Sequence, residues 1–127
     1  MFTPDRAYSG FSIDDVAAAK HFYGEQLGLA VEENSMGFLN ISLASGATVL
    51  AYTKPNHVPA EFTILNFEVD DIESAVDDLN SRGVVTKIYT EPDFNTDAKG
   101  ISRGWGPEIC WFKDPAGNVL SVMQLSS

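Results

Sequence analysis

One nine-residue pattern occurs twice in the chain, and the expected fold follows from this repeat. Residues 11–19 read Phe-Ser-Ile-Asp-Asp-Val-Ala-Ala-Ala, and residues 67–75 read Phe-Glu-Val-Asp-Asp-Ile-Glu-Ser-Ala, at an offset of 56 positions. A second echo, at an offset of 71, relates residues 46–51 to residues 117–122. Two copies of one supersecondary unit are too few for a solenoid. The repeat therefore predicts a pseudo-symmetric domain built from two similar modules.

The first copy has the pattern of a strand and then a helix. Alternating apolar residues predict a strand over residues 8–13, and Asp14 or Asp15 is placed to cap the helix after it. The apolar stripe of this helix recurs at spacings of three and four residues and consists of Val16, Ala19, Tyr23 and Leu27. Gly28 stands where a helix commonly ends.

The second copy repeats this order. A strand is predicted over residues 62–69, and Asp70 or Asp71 is placed to cap the next helix. Its apolar stripe consists of Ile72, Ala75, Val76 and Leu79. Gly83 marks the expected end of the helix. Both Asp-Asp pairs are thus explained as helix caps rather than as catalytic dyads.

Short strands are predicted after each helix. They lie at residues 30–33, 37–43, 48–52, 84–89, 109–112 and 119–123. The Asp-Pro-Ala-Gly sequence of residues 114–117 suits a type I turn between the last two strands. Residues 53–60 are interpreted as the connector between halves, and residues 91–107 as a long polar loop. The prediction is an α+β fold in a single domain, residues 1–127, with βαβββ modules at about 6–54 and 60–125.

A βαβββ unit has one sheet face covered by its helix and one bare face, and two bare faces can enclose a cleft. Strand alternation assigns one set of residues to the helix side: Phe11, Ile13, Val49, Ala51, Leu65, Phe67, Val69, Leu120 and Val122. The set expected to face the cleft is Tyr8, Gly10, Ser12, Thr48, Leu50, Tyr52, Ile64, Asn66, Glu68, Val119, Ser121 and Met123.

Composition narrows the classes of partner. The chain has 127 residues, 18 acidic against 8 basic side chains and a formal net charge of −10. This acidity argues against nucleic acid and anionic membranes. Solubility alone explains the acidity most simply, and a cationic ligand is favoured where acids line a cleft. No run of about 18 apolar residues is present. The N-terminal residues lack a secretory pattern, and Cys110 is the only cysteine, so a cytoplasmic protein is expected.

The ordered set of motifs resembles the vicinal oxygen chelate superfamily, which includes glyoxalase I, fosfomycin-resistance enzymes, extradiol dioxygenases and bleomycin-resistance proteins. The resemblance spans residues 8–123, and it rests on the repeat together with Phe22-Tyr23, Leu27-Gly28, Trp105-Gly106 and the run from Phe112 to Asn118. It implies two βαβββ modules around a shared site, either within one chain or between the two chains of a dimer, and it implies a homodimer.

The resemblance also implies four metal positions, one on the first strand and one on the last strand of each module. The two offsets assign them to Tyr8 and Ile64, and to Leu50 and Ser121. Metal-dependent members carry His, Gln or Glu there. Two hydrocarbons, a phenol and a hydroxyl do not supply the donors that a divalent ion needs. Neither a metal nor another cofactor is therefore expected.

Without a metal, the expected site is an apolar, aromatic small-molecule cleft. Its predicted ligand-binding residues are Tyr8, Leu50, Tyr52, Ile64, Asn66, Glu68, Trp105, Trp111, Ser121 and Met123. The alternation alone leaves the orientation of Trp111 open. Glu68 either lies among apolar neighbours, where it could serve as a general base, or lies near a sheet edge and reaches water.

The remaining reactive side chains have plain explanations. His21 lies off the helical stripe and is expected to face solvent, and His57 is expected in an exposed connector. Cys110 has no adjacent histidine or helix start to activate it, so it is interpreted as a small buried hydrophobe.

These observations lead to two candidate functions. The first is a metal-free binding protein that resembles the bleomycin-resistance branch and sequesters a planar, cationic compound. The second is a glyoxalase-like lyase or isomerase that uses Glu68 as a base or an unorthodox metal site. Binding is favoured, because no second acid or base has an obvious position opposite Glu68.

Overall fold

The two copies of the repeat fold as two βαβββ modules, and the fold class is α+β as predicted. The computed structural model describes residues 2, 4, 7–87, 96–103 and 106–125. The chain divides into two compact units, Met1–Pro59 and Ala60–Ser127. Within the described residues, no helix is long and apolar enough to cross a membrane.

The first unit contains a four-stranded mixed sheet. Its elements are β1 (Ser9–Ile13), α1 (Val16–Lys20), a π-helix (His21–Gln26), β2 (Ala30–Glu33), β3 (Leu39–Ser42) and β4 (Thr48–Thr53). The strand order is β1-β4-β3-β2, with β1 parallel to β4 and the other pairs antiparallel. The parallel pair results from the helical crossover between the first strand and the later strands.

The second unit repeats this order with one interruption. Its elements are β5 (Thr63–Glu68), α2 (Ile72–Ser81), β6 (Thr86–Lys87), β7 (Ile101–Ser102), β8 (Glu108–Lys113) and β9 (Val119–Gln124). The strand order is β5-β9-β8-β6, and β7 also pairs with β8. Because β6 pairs with residues 111–112 and β7 with residues 109–110, the two short strands lie one after the other along the same edge of β8. Together they take the place that β2 has in the first unit.

Each helix begins at the second aspartate of its pair. Asp15 accepts a hydrogen bond from the backbone N–H of Ala18, and Asp71 accepts bonds from those of Glu73 and Ser74. These bonds satisfy amides that have no partner within the helix. The predicted caps are therefore confirmed, and the structure selects Asp15 and Asp71 over the aspartates before them.

The helix-facing strand residues form the core of each unit. In the first sheet Phe11, Ile13, Val49 and Ala51 are buried, and in the second sheet Leu120 and Val122 are buried. Leu65 and Phe67 on the edge strand β5, and Val69 directly after it, are half-buried. Cys110 is fully buried, as predicted.

Three local predictions need correction. The segment expected as a loop, residues 91–107, contains β7 and a turn at residues 97–100; its residues 91–95, 104 and 105 lie outside the described part. The strand expected to include Tyr8 begins at Ser9. The first helix does not continue as an α-helix to its expected end, because its second half, residues 21–26, is a π-helix.

Candidate functional site

The first sheet has an open face opposite its helix side. Strand register places Gly10, Leu50 and Asn40 side by side across β1, β4 and β3. Ser12 and Tyr52 form the next row. Leu50 and Tyr52 are half-buried. The predicted residues Leu50 and Tyr52 therefore share one face, with a small residue and an amide beside them.

Two contacts order this face. The Phe38 and Tyr52 rings meet edge to face, with centroids 6.2 Å apart. The hydroxyl oxygen of Ser12 lies 2.7 Å from Nδ1 of His57. His57 is half-buried rather than exposed as expected, because this hydrogen bond ties the connector to β1. Sequence reasoning missed both Phe38 and His57, since neither lies on the strands that the repeat identified.

The second sheet has a corresponding open face, and its register resolves the orientation of Trp111. Trp111 is directly opposite Ser121, and Ser121 is directly opposite Asn66. The three side chains therefore form one row across β8, β9 and β5 on the face away from Cys110 and Val122.

A second row on the same face joins Ile109, Met123 and Glu68. Ile109 and Met123 are half-buried, whereas Glu68 is exposed. An indole, a thioether and an aliphatic side chain thus adjoin an amide and a carboxylate. Ile109 is the member of this face that sequence reasoning missed, although its alternation with Trp111 along β8 could have found it.

One pair of polar side chains on this face is hydrogen-bonded. The Ser121 hydroxyl donates to Oδ1 of Asn66 at 2.6 Å, and Ser121 is fully buried. Val119 is 8% exposed. Both residues were expected to line a cleft, but their burial leaves little of either side chain accessible. Ser121 acts here by orienting the Asn66 amide.

Glu68 lies at a sheet edge and reaches water, as the second of the two sequence-based alternatives states. It belongs to β5, the terminal strand of its sheet. It lines a cavity of about 360 Å³ together with Val69, Asp70, Gln124 and Leu125. Gln124 is held there because its side-chain oxygen accepts the N–H of Ile72 at 2.9 Å. This shallow site offers a carboxylate with little apolar enclosure.

The other predicted site residues are less well placed. Tyr8 precedes β1 and is 69% exposed, and Trp105 lies outside the described residues. Ile64 forms a bulge, because Thr63 pairs with Val119 while Leu65 already pairs with the next residue of β9. The bulge adds one residue to β5 and so changes the offset between equivalent residues of the two modules by one. Thr63, not Ile64, is therefore the residue of the second module that is equivalent to Tyr8.

The four implied metal positions do not form a donor set. Leu50 and Ile64 have hydrocarbon side chains, and the Ser121 hydroxyl donates its hydrogen bond to Asn66. Thr63, which the register puts in the place of Ile64, would add only a neutral hydroxyl. Among the described residues, no three His, Cys, Asp or Glu side chains converge as a metal would require. The residues present do not fit a divalent ion at the family's shared centre.

A larger cavity, of about 660 Å³, lies outside the predicted site. It is in the first unit, between the π-helix and β2, and it is lined by Ala17, Lys20, His21, Gly24, Glu25, Leu29, Val31 and Glu33. Its charged side chains pair with one another: Lys20 lies 3.7 Å from Glu33, and Nδ1 of His21 contacts Glu25. The sequence gives no signal for it, because it depends on the π-helical turn.

Comparison with known proteins agrees with this architecture. The family model of the glyoxalase/bleomycin resistance protein/dioxygenase superfamily matches residues 8–122. No curated protein matches the chain by sequence.

Solved structures show the same fold. The antibiotic-binding protein TnmS3 from Streptomyces sp. CB03234 has 22% identity and a TM-score of 0.67, over 98% of this chain and 100% of that one. A glyoxalase family protein from Enterococcus faecalis has 23% identity and a TM-score of 0.66, over 97% and 99%. A glyoxalase/bleomycin resistance protein/dioxygenase from Alicyclobacillus acidocaldarius has 14% identity and a TM-score of 0.70, over 100% and 96%. With a family model covering most of its length, the chain belongs to the glyoxalase/bleomycin resistance protein/dioxygenase superfamily.

Proposed function

We propose that this protein binds a planar, cationic small molecule without the help of a metal, and so sequesters it. The observation that carries the proposal is the open face of the second sheet, where Trp111 and Asn66 form one row and Met123 and Glu68 the next. This face combines a stacking surface, a polarizable side chain, an amide and a negative charge. Those are the groups that recognise an aromatic cation.

Each side chain has a distinct part in this proposal. The indole of Trp111 stacks on the planar ligand, and the Asn66 amide, oriented by Ser121, offers a hydrogen bond. Glu68 attracts the positive charge, but its exposure limits the strength of the pair, because water and salt screen it. Stacking therefore supplies most of the affinity, and charge supplies selectivity.

Three further facts support binding in this form. The metal positions lack nitrogen and carboxylate donors, so shape, stacking and charge are what remain. TnmS3, which has this fold, is an antibiotic-binding protein. The formal net charge of −10 raises the local concentration of cations around the chain.

The test compares proflavine, a planar aromatic cation, with acridine, its neutral analogue, by isothermal titration calorimetry. We expect proflavine to bind more tightly than acridine. Replacement Trp111→Leu should weaken both ligands about fivefold, because an aromatic contact is worth on the order of 1 kcal/mol. Replacement Glu68→Gln should weaken proflavine about threefold and leave acridine unchanged.

Matched variants separate the site from general effects. Glu61→Gln removes the same charge from another exposed acid and should leave binding unchanged. Trp111→Phe keeps a ring and should retain most of the affinity. If the wild type and Glu68→Gln each bind proflavine and acridine equally well, the ligand's positive charge has no part in recognition. If neither compound binds, the proposed aromatic site is wrong.

The remaining parts of the proposal have their own tests. Purified protein should contain no stoichiometric transition metal by elemental analysis. Family resemblance supports a homodimer, which sedimentation equilibrium measures directly. Turnover of a glyoxalase-type substrate that is lost in Glu68→Gln would instead support the lyase or isomerase.

A further inference from the structure

The second module has an interrupted edge strand where the first module has a continuous one. Residues 96–103, here called the strap, include β7 and lie along the edge of β8 after β6. In the first module an uninterrupted β2 covers the matching edge. The strap is thus a separate part of the edge that β2 covers alone in the first module, and it needs attachments of its own to stay in place.

The strap is closed by its own hydrogen bonds. Thr96 bridges to Ser102, and the Asp97 N–H donates to the carbonyl of Ile101 at 2.9 Å. One carboxylate oxygen of Asp97 accepts the N–H groups of Lys99 and Ile101, both at 2.9 Å. A turn that satisfies its own backbone groups can keep its shape when it leaves the sheet.

Charge holds the strap against α2. The Lys99 ammonium lies 3.3 Å from a Glu73 carboxylate oxygen and 3.0 Å from one of Asp77. Arg103 lies 3.5 Å from Glu73. The hydrogen bonds to Asp77 and Glu73 raise the pKa of Lys99. Between a third and two thirds of each of these side chains is exposed, so salt can reach and screen the pairs.

Arg103 also holds the strap to itself and to β8. Its guanidinium lies 3.4 Å from Asp97 and 2.5 Å from Glu108. Burial alone would raise the pKa of Asp97, but hydrogen bonds from the backbone of Ile101 and Lys99 and from Arg103 outweigh it and lower that pKa. The strap therefore has charged attachments on two sides.

Beneath the strap lies the single cysteine. The Lys99 carbonyl accepts a hydrogen bond from the Thr86 hydroxyl at 2.7 Å, and the Cys110 thiol contacts the same carbonyl at 3.8 Å. Ile101 is 1% exposed and pairs with Cys110. Burial raises the pKa of the Cys110 thiol to about 11, so the covered thiol is protonated and unreactive.

We propose that the strap detaches from β8 as a unit while the rest of the second module stays folded, and that the ion pairs of Lys99 and Arg103 with α2 set how often it does so. Its one large apolar anchor is Ile101, and the rest of its attachment is polar or ionic. Opening uncovers the edge of β8 and the Cys110 thiol. The opening equilibrium is therefore sensitive to ionic strength.

The chain contains one cysteine, so labelling by the neutral disulfide reagent 4,4′-dithiodipyridine reports only the accessibility of Cys110. Labelling of the full chain is measured at about 0.05 and about 1 M NaCl, relative to free N-acetylcysteine in the same buffers. Screening of the pairs should accelerate Cys110 labelling about fivefold. In urea below the unfolding transition, the rate should rise less steeply than global unfolding predicts, because little surface is exposed.

Matched variants locate the effect. Lys99→Met should accelerate labelling about threefold at low salt and reduce the response to NaCl. Lys20→Met removes the Lys20–Glu33 pair of the first unit and should leave labelling unchanged. The wild-type salt and urea series keeps the test decisive if Lys99→Met does not fold.

Three results would overturn the proposal. Labelling could show the same urea dependence as global unfolding, which would mean that Cys110 is reached only when the whole module unfolds. The rate could be insensitive to NaCl. Lys20→Met could accelerate labelling as much as Lys99→Met, which would assign the effect to net charge rather than to the strap.

Discussion

The two modules share one strand–helix junction but differ in the helical turns after it. Asp15 and Asp71 cap their helices in the same way. Beyond the caps the first helix becomes a π-helix at residues 21–26, whereas α2 stays α-helical over residues 72–81. The junction depends on local hydrogen bonds that both copies encode, while the later turns depend on the side chains that each helix packs against.

Two consecutive aromatic residues explain the π-helical turn. Phe22 and Tyr23 are both buried, and their rings meet edge to face with centroids 5.0 Å apart. The corresponding residues of α2 are Asp78, which is exposed, and Leu79, which is half-buried. Adjacent residues of an α-helix point about 100° apart. The wider π-turn, in which the Leu27 N–H donates to the Phe22 carbonyl, accompanies the burial of both rings.

Removing the buried ring of Tyr23 should give the largest difference in stability between matched variants of the two modules. Tyr23→Ala should lower the free energy of unfolding by about 3–5 kcal/mol, because Tyr23 is fully buried and its ring contacts those of Phe11 and Phe22. Leu79→Ala, at the matching position of α2, should cost about 1–2 kcal/mol. Urea unfolding followed by circular dichroism measures both. Equal losses would show that the two helices contribute alike.

The close approach of the π-helix to β2 is the next target. A Cβ at position 24 would lie 2.8 Å from Cγ2 of Val31, so Gly24→Ala should cost about 1–2 kcal/mol through overpacking. Asn80→Ala, at the matching position of α2, should be neutral or slightly stabilising because alanine favours helices. Val31→Ala in the Gly24→Ala background should recover part of the loss. If Val31→Ala recovers no stability, the contact between position 24 and Val31 is not the cause of the loss.

Helix capping tests the feature that the modules share. Asp15→Ala should cost about 1 kcal/mol, the ordinary value of one cap. Asp71→Ala should be more destabilising, since Asp71 also accepts a hydrogen bond from the Ser74 hydroxyl. The asparagine variants should retain most of the stability because an amide oxygen also accepts from the backbone. A smaller effect at Asp71 than at Asp15 contradicts this ranking.

The smallest expected effect is a change in how the stability of the fold depends on pH. Hydrogen bonds from the backbone and hydroxyl of Ser74 lower the pKa of Asp71 below 3.8. A carboxyl group whose pKa is lower in the folded than in the unfolded protein stabilises the fold above its unfolded-state pKa. This stabilisation is lost as the pH falls through the folded-state pKa. Asp71→Asn should therefore flatten the loss of stability between about pH 5 and pH 2. The measurement is the urea midpoint across this range, and an unchanged slope argues against the cap as its source.

Most of the architecture was predictable because it rests on local chemistry. The Asp-Asp pairs, the strand alternation and the turn at residues 114–117 act within a few residues of themselves. In that turn the Gly117 N–H donates to the Asp114 carbonyl, as a type I turn requires. The donor chemistry of the four implied metal positions likewise follows from residue type alone.

The candidate site was less predictable, because it depends on pairing between strands. The orientation of Trp111 is set by its partner Ser121, and the match to Tyr8 moves from Ile64 to Thr63 because of one bulge. His57 reaches Ser12 across 45 residues. Such contacts have no periodic signature along the chain.

Local sequence accounts for the duplication, for the helix starts to within one residue and for the family, because a repeat and a cap are properties of neighbouring residues. Tertiary contacts, by contrast, set the π-helical winding of one helix, the interruption of one strand by the charged strap, and the choice of side chains that share an open face. Those features depend on packing and register between distant segments. Equivalent residues in two similar copies can therefore have different surroundings.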